Sequence, residues 1–415
     1  MKLWVRTLWE KQPAFLRRVE LDFARHALAR PLDRKRPLLA GDVIVGGFMG
    51  TASGLGEGAR RFLSYVQSIG VKAHAANVSR FAALEDFDAG PLWPQAAAPG
   101  GIAIFHVNPD LLNLTMSVIG RQRLLPRRLV GMWAWELDVL PPKWVRTLKC
   151  VDEIWVSSRF IADAVKKASP KSVVHVLPLP VDAAEQPMIP LRDPLPRFQG
   201  RPVVLFAFDV RSTMARKNPE AVIEAFRRAT ANDRNPVLVI KASNVPAWPE
   251  ANERLARAIG GMENVHLIHD ILTEDGMKDL IARADVVMSL HRSEGFGLLL
   301  ASGMAAAKPV IATGWSGNVD FMPPDACALV PFRRVPVVDP QNAYNIAGAT
   351  WADPDVDFAA KALRRLLDNP NERQRMGQAA RRHVTQHFSL SRWKTLLPET
   401  FWQSLSDGAR GEVSR

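Results

Sequence analysis

Only two cysteines, Cys150 and Cys327, occur among 415 residues, far apart and in no metal-ligand spacing. That scarcity argues against a disulfide scaffold and suits a reducing compartment. Long apolar runs are missing too: stretches such as Val203–Phe208 and Leu298–Ala301 fall far short of the roughly 20 residues that a membrane-spanning helix requires. The first residues are charged throughout and contain no apolar h-region, so no secretory signal is expected. No internal repeat, low-complexity tract, P-loop, G-x-S-x-G elbow, zinc-finger spacing or aromatic RNA-binding signature is present. Fibrous, P-loop and serine-hydrolase readings drop out, and no nucleic-acid partner is expected. What remains is a composition of 47% hydrophobic and 23% charged residues, that of an average soluble globular protein. Its length predicts two or more lobes.

Tyrosine is scarce, at 2 against 12 tryptophans, and Lys plus Arg outnumber Asp plus Glu by 54 to 42, a net of +12. Both features point to an anionic partner. Residues 1–40 hold ten of the cations against four acids, so half of the surplus sits in this leader. Leu3, Trp4, Leu8, Trp9, Phe15, Leu16, Val19 and Phe23 interleave with those charges at spacings that a helix gathers toward one side. Residues 1–42 therefore read as a basic amphipathic extension with two destinations open. One is an anionic membrane surface; the other is the flank of the domain, with the charges solvated.

Farther along, short β-branched runs alternate with amphipathic stretches, the pattern of an α/β fold. Strands are expected at 43–47, 102–107, 129–133, 153–156 and 173–176, with helices near 58–69, 144–150 and 160–168. Seven prolines from Pro178 to Pro202 mark a break without regular structure. The alternation then restarts, with strands at 203–208, 237–241, 265–268, 285–289 and 309–312 and helices near 219–229, 251–259, 274–284 and 297–306. The expectation is two doubly wound Rossmann-like domains, 43–185 and 203–385, joined by a linker at 186–202. They would face each other across a cleft that holds the ligand at the carboxyl ends of the strands.

Three segments carry candidate chemistry. After the first strand, Gly54, Leu55, Gly56 and Gly58 open a helix; glycines let a ligand approach the backbone, and unpaired helix amides attract an anion. Gly54, Gly56 and Ala59 fit G-x-G-x-x-A, but the second strand ends Ala75-Ala76-Asn77-Val78-Ser79, without the acid that a dinucleotide ribose needs. A glycine turn that serves packing alone is the plainer alternative. Opening the second half, Arg211 and Lys217 flank a strand-to-helix loop where two cations can neutralise a diphosphate; a solvated loop is the alternative. The third segment, ADVVMSLHRSEGFGLLLASGMAAAKPVIATG, ends a buried strand, brackets Glu294 with glycines and starts a helix of small and apolar residues. Free amides at that helix start can face a ligand, and the Glu294 carboxylate can hold sugar hydroxyls. The plainer reading of Glu294 is an exposed first-turn acid.

This last segment resembles the signature of the retaining GT-B glycosyltransferases of glycosyltransferase family 4, bacterial group 1 type. Their pattern is a Glu, seven residues, a second Glu, a small-residue helix and a Pro-Val-Ile-Ala-Thr strand. SEGFG at 293–297, Met304, Ala305, Lys308 and Pro309–Thr313 match it. WAWELD at 133–138, VDEIWVSSRF at 151–160 and ARKNPEAVIEAF at 215–226 resemble a bacterial branch of that family. The likeness covers roughly residues 43–390.

The resemblance implies transfer of a sugar, with retention, from a nucleotide-diphosphate sugar to a glycan or lipid-linked acceptor, without metal or other cofactor. It further implies bacterial cell-envelope polysaccharide or lipopolysaccharide biosynthesis, in the cytoplasm or peripheral on the inner face of its membrane. Residues 43–185 would take the acceptor and 203–385 the donor, with C-terminal helices in 386–415 crossing back to the first domain. Glu294, Arg211 and Lys217 would be catalytic. Substrate contacts would come from Gly54, Leu55, Gly56, His106, Asn108, Gly295, Phe296, Gly297, Leu298 and Ser302.

Two positions depart from the family pattern. Ser302 stands eight residues after Glu294, where a second Glu would bond the ribose, and a hydroxyl there lowers donor affinity by roughly 1–3 kcal/mol. Asn108 stands close to where many relatives carry a histidine, and His106, two residues earlier, shares its face. These departures keep a second reading open: a catalytically idle GT-B protein that binds sugar nucleotides or scaffolds envelope enzymes. The pairs Asp86/Asp88, Asp353/Asp355 and Asp355/Asp357 imitate Asp-x-Asp metal sites without a strand-end setting, and His383/His387 at i, i+4 lack a third ligand.

Overall fold

Six strands, β1 (Asp42–Gly47), β2 (Ala73–Asn77), β3 (Gly101–His106), β4 (Arg128–Trp133), β5 (Glu153–Val156) and β6 (Val174–Val176), form one parallel sheet in the order β2-β1-β3-β4-β5-β6. A second six, β7 (Val203–Asp209), β8 (Val237–Ser243), β9 (Val265–Ile268), β10 (Val286–Ser289), β11 (Val310–Thr313) and β12 (Ala328–Val330), are ordered β12-β11-β10-β7-β8-β9. This is a computed structural model that describes residues 30–79, 87–181 and 183–409. Residues 1–29 of the amphipathic leader therefore fall outside the described residues, as does Asp86. Parallel neighbours need crossover connections, and the helices that supply them cover both sheet faces. That burial explains why the strands read as nearly continuous apolar runs, as in Ile102–Phe105, all without solvent exposure. The result is two α/β Rossmann-like domains.

Each sheet separates two apolar layers. In the second lobe Phe206, Ile240, Phe226 and Leu363 lie on one side, and Leu205, Val239, Met304 and Ala380 on the other. In the first lobe Trp133, Trp135 and Trp144 fill one side. The other side packs Val43, Phe62 and Trp155 against Trp393 and Phe401 of the helices Leu390–Leu396 and Glu399–Gln403 and against Leu397 between them. The Trp393 indole also donates to the Pro178 carbonyl at 2.9 Å. Six of the ten described tryptophans are buried, so among the described residues the tryptophan surplus mainly serves packing, not an anionic partner.

Three differences from the sequence reading have local causes. A helix spans Pro109–Ile119, where proline occupies the first turn and Asp110 lies beside the unpaired amides. The stretch Pro142–Lys149 winds as a 3-10 helix. The proline-rich break contains two single 3-10 turns, Ala183–Glu185 and Pro196–Phe198; in the second, proline at the start of the turn loses no bond, since its missing amide would be unpaired there. An unanticipated hairpin, β13 (Phe332–Pro336) with β14 (Thr350–Pro354), pairs antiparallel. Its long loop carries Tyr344 and Ala349, and β14 carries Trp351, into the core of the first lobe. No helix among the described residues is long and apolar enough to cross a membrane.

Candidate active site

The carboxyl ends of both sheets open on one cleft of about 1540 Å³, with walls from both lobes. Strand order reverses between β7 and β10 in the second sheet, the place where open α/β sheets hold ligands. At this point the loop after β10 delivers Glu294. The Glu294 amide donates to Ser316 Oγ at 2.7 Å, and the Gly317 amide donates to the Glu294 carbonyl at 2.8 Å, so its backbone is held from both directions. Oε1 accepts from the Lys217 ammonium and Oε2 accepts from Arg216 Nη1 at 3.2 Å.

Arg216 is buried and fully engaged. It donates to the Ser293 carbonyl at 2.9 Å and the Ser212 carbonyl at 3.1 Å. Its guanidinium lies 5.4 Å over the Tyr344 ring and 3.9 Å from Glu136 Oε1 of the first lobe. The Tyr344 hydroxyl donates to Glu136 Oε2 at 2.9 Å. Two carboxylates, one from each lobe, thus share one guanidinium. Burial alone would raise the Glu294 pKa, but Lys217 and Arg216 overcome it and bring it down to about 2. Burial lowers that of Lys217, with Glu294 opposing. Burial also works against the Arg216 charge, yet Tyr344, Glu136 and Glu294 hold its pKa above the ordinary value.

Lys217 reaches Glu294 because the short helix Met214–Lys217 is bracketed by Thr213 at φ 63° and Asn218 at φ 54°. Such left-handed non-glycine residues cost energy and gather at functional sites. Arg211 lines the cleft as well, but its Nε and Nη2 donate to Asp209 Oδ2 at 3.2 and 3.0 Å. The direct partner of Lys217 at Glu294 is its neighbour Arg216, which the sequence reading passed over. Glu136 and Tyr344 were passed over too. The adjacent cations of ARK and the acid within WAWELD were the available signals; Tyr344 had none.

The other expected site residues divide. Gly54, Leu55, Gly295, Phe296, Gly297 and Leu298 line the cleft. Gly54 opens the helix Gly54–Ser68, capped by Ser53 Oγ, and a Cβ there would meet nothing within 4 Å. Gly56 is a packing glycine instead: its Cβ would lie 2.5 Å from Thr51 Oγ1 and 2.6 Å from the Phe48 carbonyl. Ser302, 3% exposed within the helix Leu298–Ala305, does not line the cleft although Leu298, Leu299 and Leu300 do. The ribose contact assigned to its hydroxyl has no cleft surface to act on.

His106 and Asn108 both line the cleft. The His106 ring packs edge-on against Phe62 at 4.9 Å, and burial pushes its pKa down to about 3, so it is neutral. Both polar groups of the Asn108 amide are engaged: Nδ2 donates to the Ala134 carbonyl at 2.8 Å and Oδ1 accepts from the Ala134 amide at 3.0 Å. Asn108 therefore ties down the WAWELD loop with one donor and one acceptor of its amide. Asp353, on β14, pairs with Arg292 and Arg333; Asp355 caps a helix; Asp357 pairs with Arg228. Among the described residues no group of three or more His, Cys, Asp or Glu could hold a metal ion.

The lobes also touch beside Glu294. Ser158 Oγ donates to the Gly295 carbonyl at 2.6 Å, and the Arg159 amide donates to Asp320 at 2.6 Å. Arg334 of the hairpin pairs with Asp138.

Comparison with known proteins agrees with this architecture. Over 207 residues the chain is 28% identical to a D-inositol 3-phosphate glycosyltransferase of Xylanimonas cellulosilytica, covering 49% of this chain and 42% of that one. Over 149 residues it is 28% identical to an MMP alpha-(1->4)-mannosyltransferase of Mycolicibacterium hassiacum, covering 36% and 30%. The matches thus span less than half the length of these relatives. HepE of Anabaena, solved in complex with UDP and glucose, superposes with a TM-score of 0.62 at 12% identity, over 88% of this chain and 100% of that one. The fold is that of the GT-B glycosyltransferases, and residues 191–383, nearly the whole second lobe, match the family described as glycosyl transferases group 1.

Proposed function

We propose that this protein is a retaining glycosyltransferase of family 4 that moves a sugar from a nucleotide-diphosphate sugar to a glycan or lipid-linked acceptor, in envelope polysaccharide or lipopolysaccharide synthesis. The observation that carries the reading is the Lys217–Glu294–Arg216 array, buried at the switch point and beside the start of the helix Leu298–Ala305. When the sugar leaves, charge develops on the diphosphate. Lys217, Arg211 and the amides at Gly54 and Gly297 supply fixed positive charge there with no reorganisation and no need of a metal. Glu294 orients the donor sugar. Glu136, held by Tyr344 and Arg216, faces it from the acceptor lobe. Contact between the lobes at Gly295 excludes water, which would otherwise hydrolyse the donor. The similarities to a mannosyltransferase and an inositol-phosphate glycosyltransferase support this chemistry. The basic leader fits a peripheral place at an anionic membrane face.

A thermal-shift panel of UDP-, GDP- and ADP-sugars tests the proposal. One donor is expected to raise Tm by several degrees, since it binds only the folded chain, and Lys217→Ala to remove most of that rise. A wild type that responds to no donor and transfers no sugar to any acceptor in an envelope extract would sink it. Gly54→Ala gives a sharper check. Its methyl meets no protein atom and replaces a helical glycine, so stability is expected to hold or rise by about 0.5–1 kcal/mol. Gly54 lines the cleft, so nucleotide affinity measured by calorimetry is expected to fall several-fold. Unchanged affinity would remove this helix start from the diphosphate site.

A further inference from the structure

One flank of the first lobe carries an ordered column of cations. The helix Pro109–Ile119 and the 3-10 helix Pro142–Lys149 lie side by side: Lys143 pairs with Asp110 at 2.7 Å, the Trp144 indole donates to Asp110 Oδ2 at 3.1 Å, and Asn113 donates to Thr147 Oγ1 at 2.9 Å. A 3-10 helix has three residues per turn, so residues three apart stack in one column. Trp144, Thr147 and the following Cys150 form a buried column, and Lys143, Arg146 and Lys149 form an exposed one. An α-helix would spread the same three cations over about a third of its circumference. Stacked like charges repel, and among the described residues neither Arg146 nor Lys149 forms an ion pair. Lys143 lines the cleft, so this ridge starts at the cleft rim.

At its far end the ridge widens. The Leu32 amide donates to the Lys149 carbonyl at 2.9 Å, and Arg36 Nε donates to the Leu125 carbonyl at 3.0 Å. Burial pushes the Cys150 thiol up to about 11 while the Arg121 charge pulls it the other way, so Arg121 stands beside this end. Arg34, Lys35, Arg121 and Arg123 are exposed there. Of the acids on these segments Asp33 is exposed, Asp110 pairs with Lys143, and Asp152 pairs with Arg36 at 2.5 Å. Val118, Leu38 and Leu39 add exposed apolar side chains to the same segments.

We propose that this ridge and the flank that continues it form a docking face for an anionic membrane surface, which brings the cleft rim to the headgroup layer. Cations near an anionic leaflet are attracted one by one, and a lipid surface takes exposed apolar side chains as well. A soluble polyanion has no use for Val118, Leu38 and Leu39. The face belongs to the folded lobe and is distinct from residues 1–29, although the described chain begins at it. Docking here is independent of the sugar-transfer reading; joined to that reading, it sets a lipid-linked acceptor beside the acceptor lobe.

Co-sedimentation of the full chain with phosphatidylcholine vesicles, with and without phosphatidylglycerol, tests the face. Wild type is expected to bind the anionic vesicles and not the neutral ones. Arg146→Gln combined with Lys149→Gln is expected to weaken that binding about thirty-fold, about five-fold for each cation. The pair is expected to melt no lower than wild type, since its loss relieves repulsion. Arg375→Gln combined with Arg382→Gln removes two exposed cations from the helix Pro370–Phe388 of the second lobe and is expected to cost under about two-fold, because charges far from the surface are screened. Equal losses from the two pairs, unchanged binding in the ridge pair, or a wild type that ignores anionic vesicles would each overturn the proposal. So would a ridge pair that keeps its vesicle binding but loses affinity for dextran sulfate, which would assign the ridge to a soluble polyanion.

Discussion

Replacing Glu294 with Gln is expected to cut sugar transfer by about a thousandfold or more and to lower stability at neutral pH by about 3–5 kcal/mol. The amide keeps the shape of the side chain but removes the charge on which two buried cations depend. Arg216 and Lys217 would then face each other with only Glu136, 3.9 Å from Arg216, as compensation. The stability loss depends on pH in a definite direction. Lys217 and Arg216 hold the Glu294 pKa at about 2, well below the usual carboxylate range. A depressed carboxylate contributes fully above the unfolded value and loses that contribution as pH falls through the folded one. The gap in unfolding free energy between wild type and Glu294→Gln is therefore expected to be wide at neutral pH and to narrow between about pH 5 and pH 2. Denaturant titrations at several pH values read it directly. A gap that ignores pH would mean that the ion pairs do not set the carboxyl pKa, and retained transfer would remove Glu294 from the chemistry.

The same pairing shows where the sequence was readable and where it was not. The strand Val203–Asp209 announced itself through its first six residues, all apolar, because a strand buried on both faces has little place for polar side chains. The helix Pro219–Ala229 was legible to the residue, since proline opens it and a three-to-four-residue apolar spacing, Val222, Ile223, Phe226, runs through it. The hairpin β13–β14 was not: its strands are short, partly exposed and carry arginine and proline, and its loop is anchored by contacts with the distant first lobe. Tyr344 shares that fate, because only the folded chain brings it to Glu136. Arg216 was hidden for a different reason. Within ARK every side chain looks like loop charge, and only the left-handed Thr213 and Asn218 decide which one turns inward. Ser302 and Asn108 illustrate the converse. Their positions along the chain were suggestive, but a helix interior absorbs the first and the Ala134 backbone engages the second.

A single methyl group at Gly317 is expected to damage both stability and transfer, though less than the loss of the Glu294 charge. An added Cβ would sit 2.0 Å from the Gly295 carbonyl oxygen, 2.5 Å from its carbon and 2.9 Å from Ser158 Oγ. Backbone atoms can relieve such a clash only by moving, and Gly295 has little room. A Cβ on Gly295 itself would lie 2.8 Å from the Trp135 carbonyl, and its oxygen already accepts from Ser158 at 2.6 Å. Withdrawal of Gly317 breaks the bond from its amide to the Glu294 carbonyl; displacement of Gly295 opens the seam between the lobes. Either way the carboxylate leaves its place against Lys217 and Arg216. Overpacking of this kind costs about 1–3 kcal/mol, and a displacement of about 1 Å at reacting groups costs about a hundredfold in rate. Gly317→Ala is thus expected to lose both stability and transfer, whereas Gly54→Ala, whose methyl meets no protein atom, keeps its stability. Denaturation and transfer assays on the two variants side by side separate a glycine that the fold requires from one that the ligand requires. Wild-type stability and turnover in Gly317→Ala would show that the Ser316–Gly317 turn does not hold Glu294 in place.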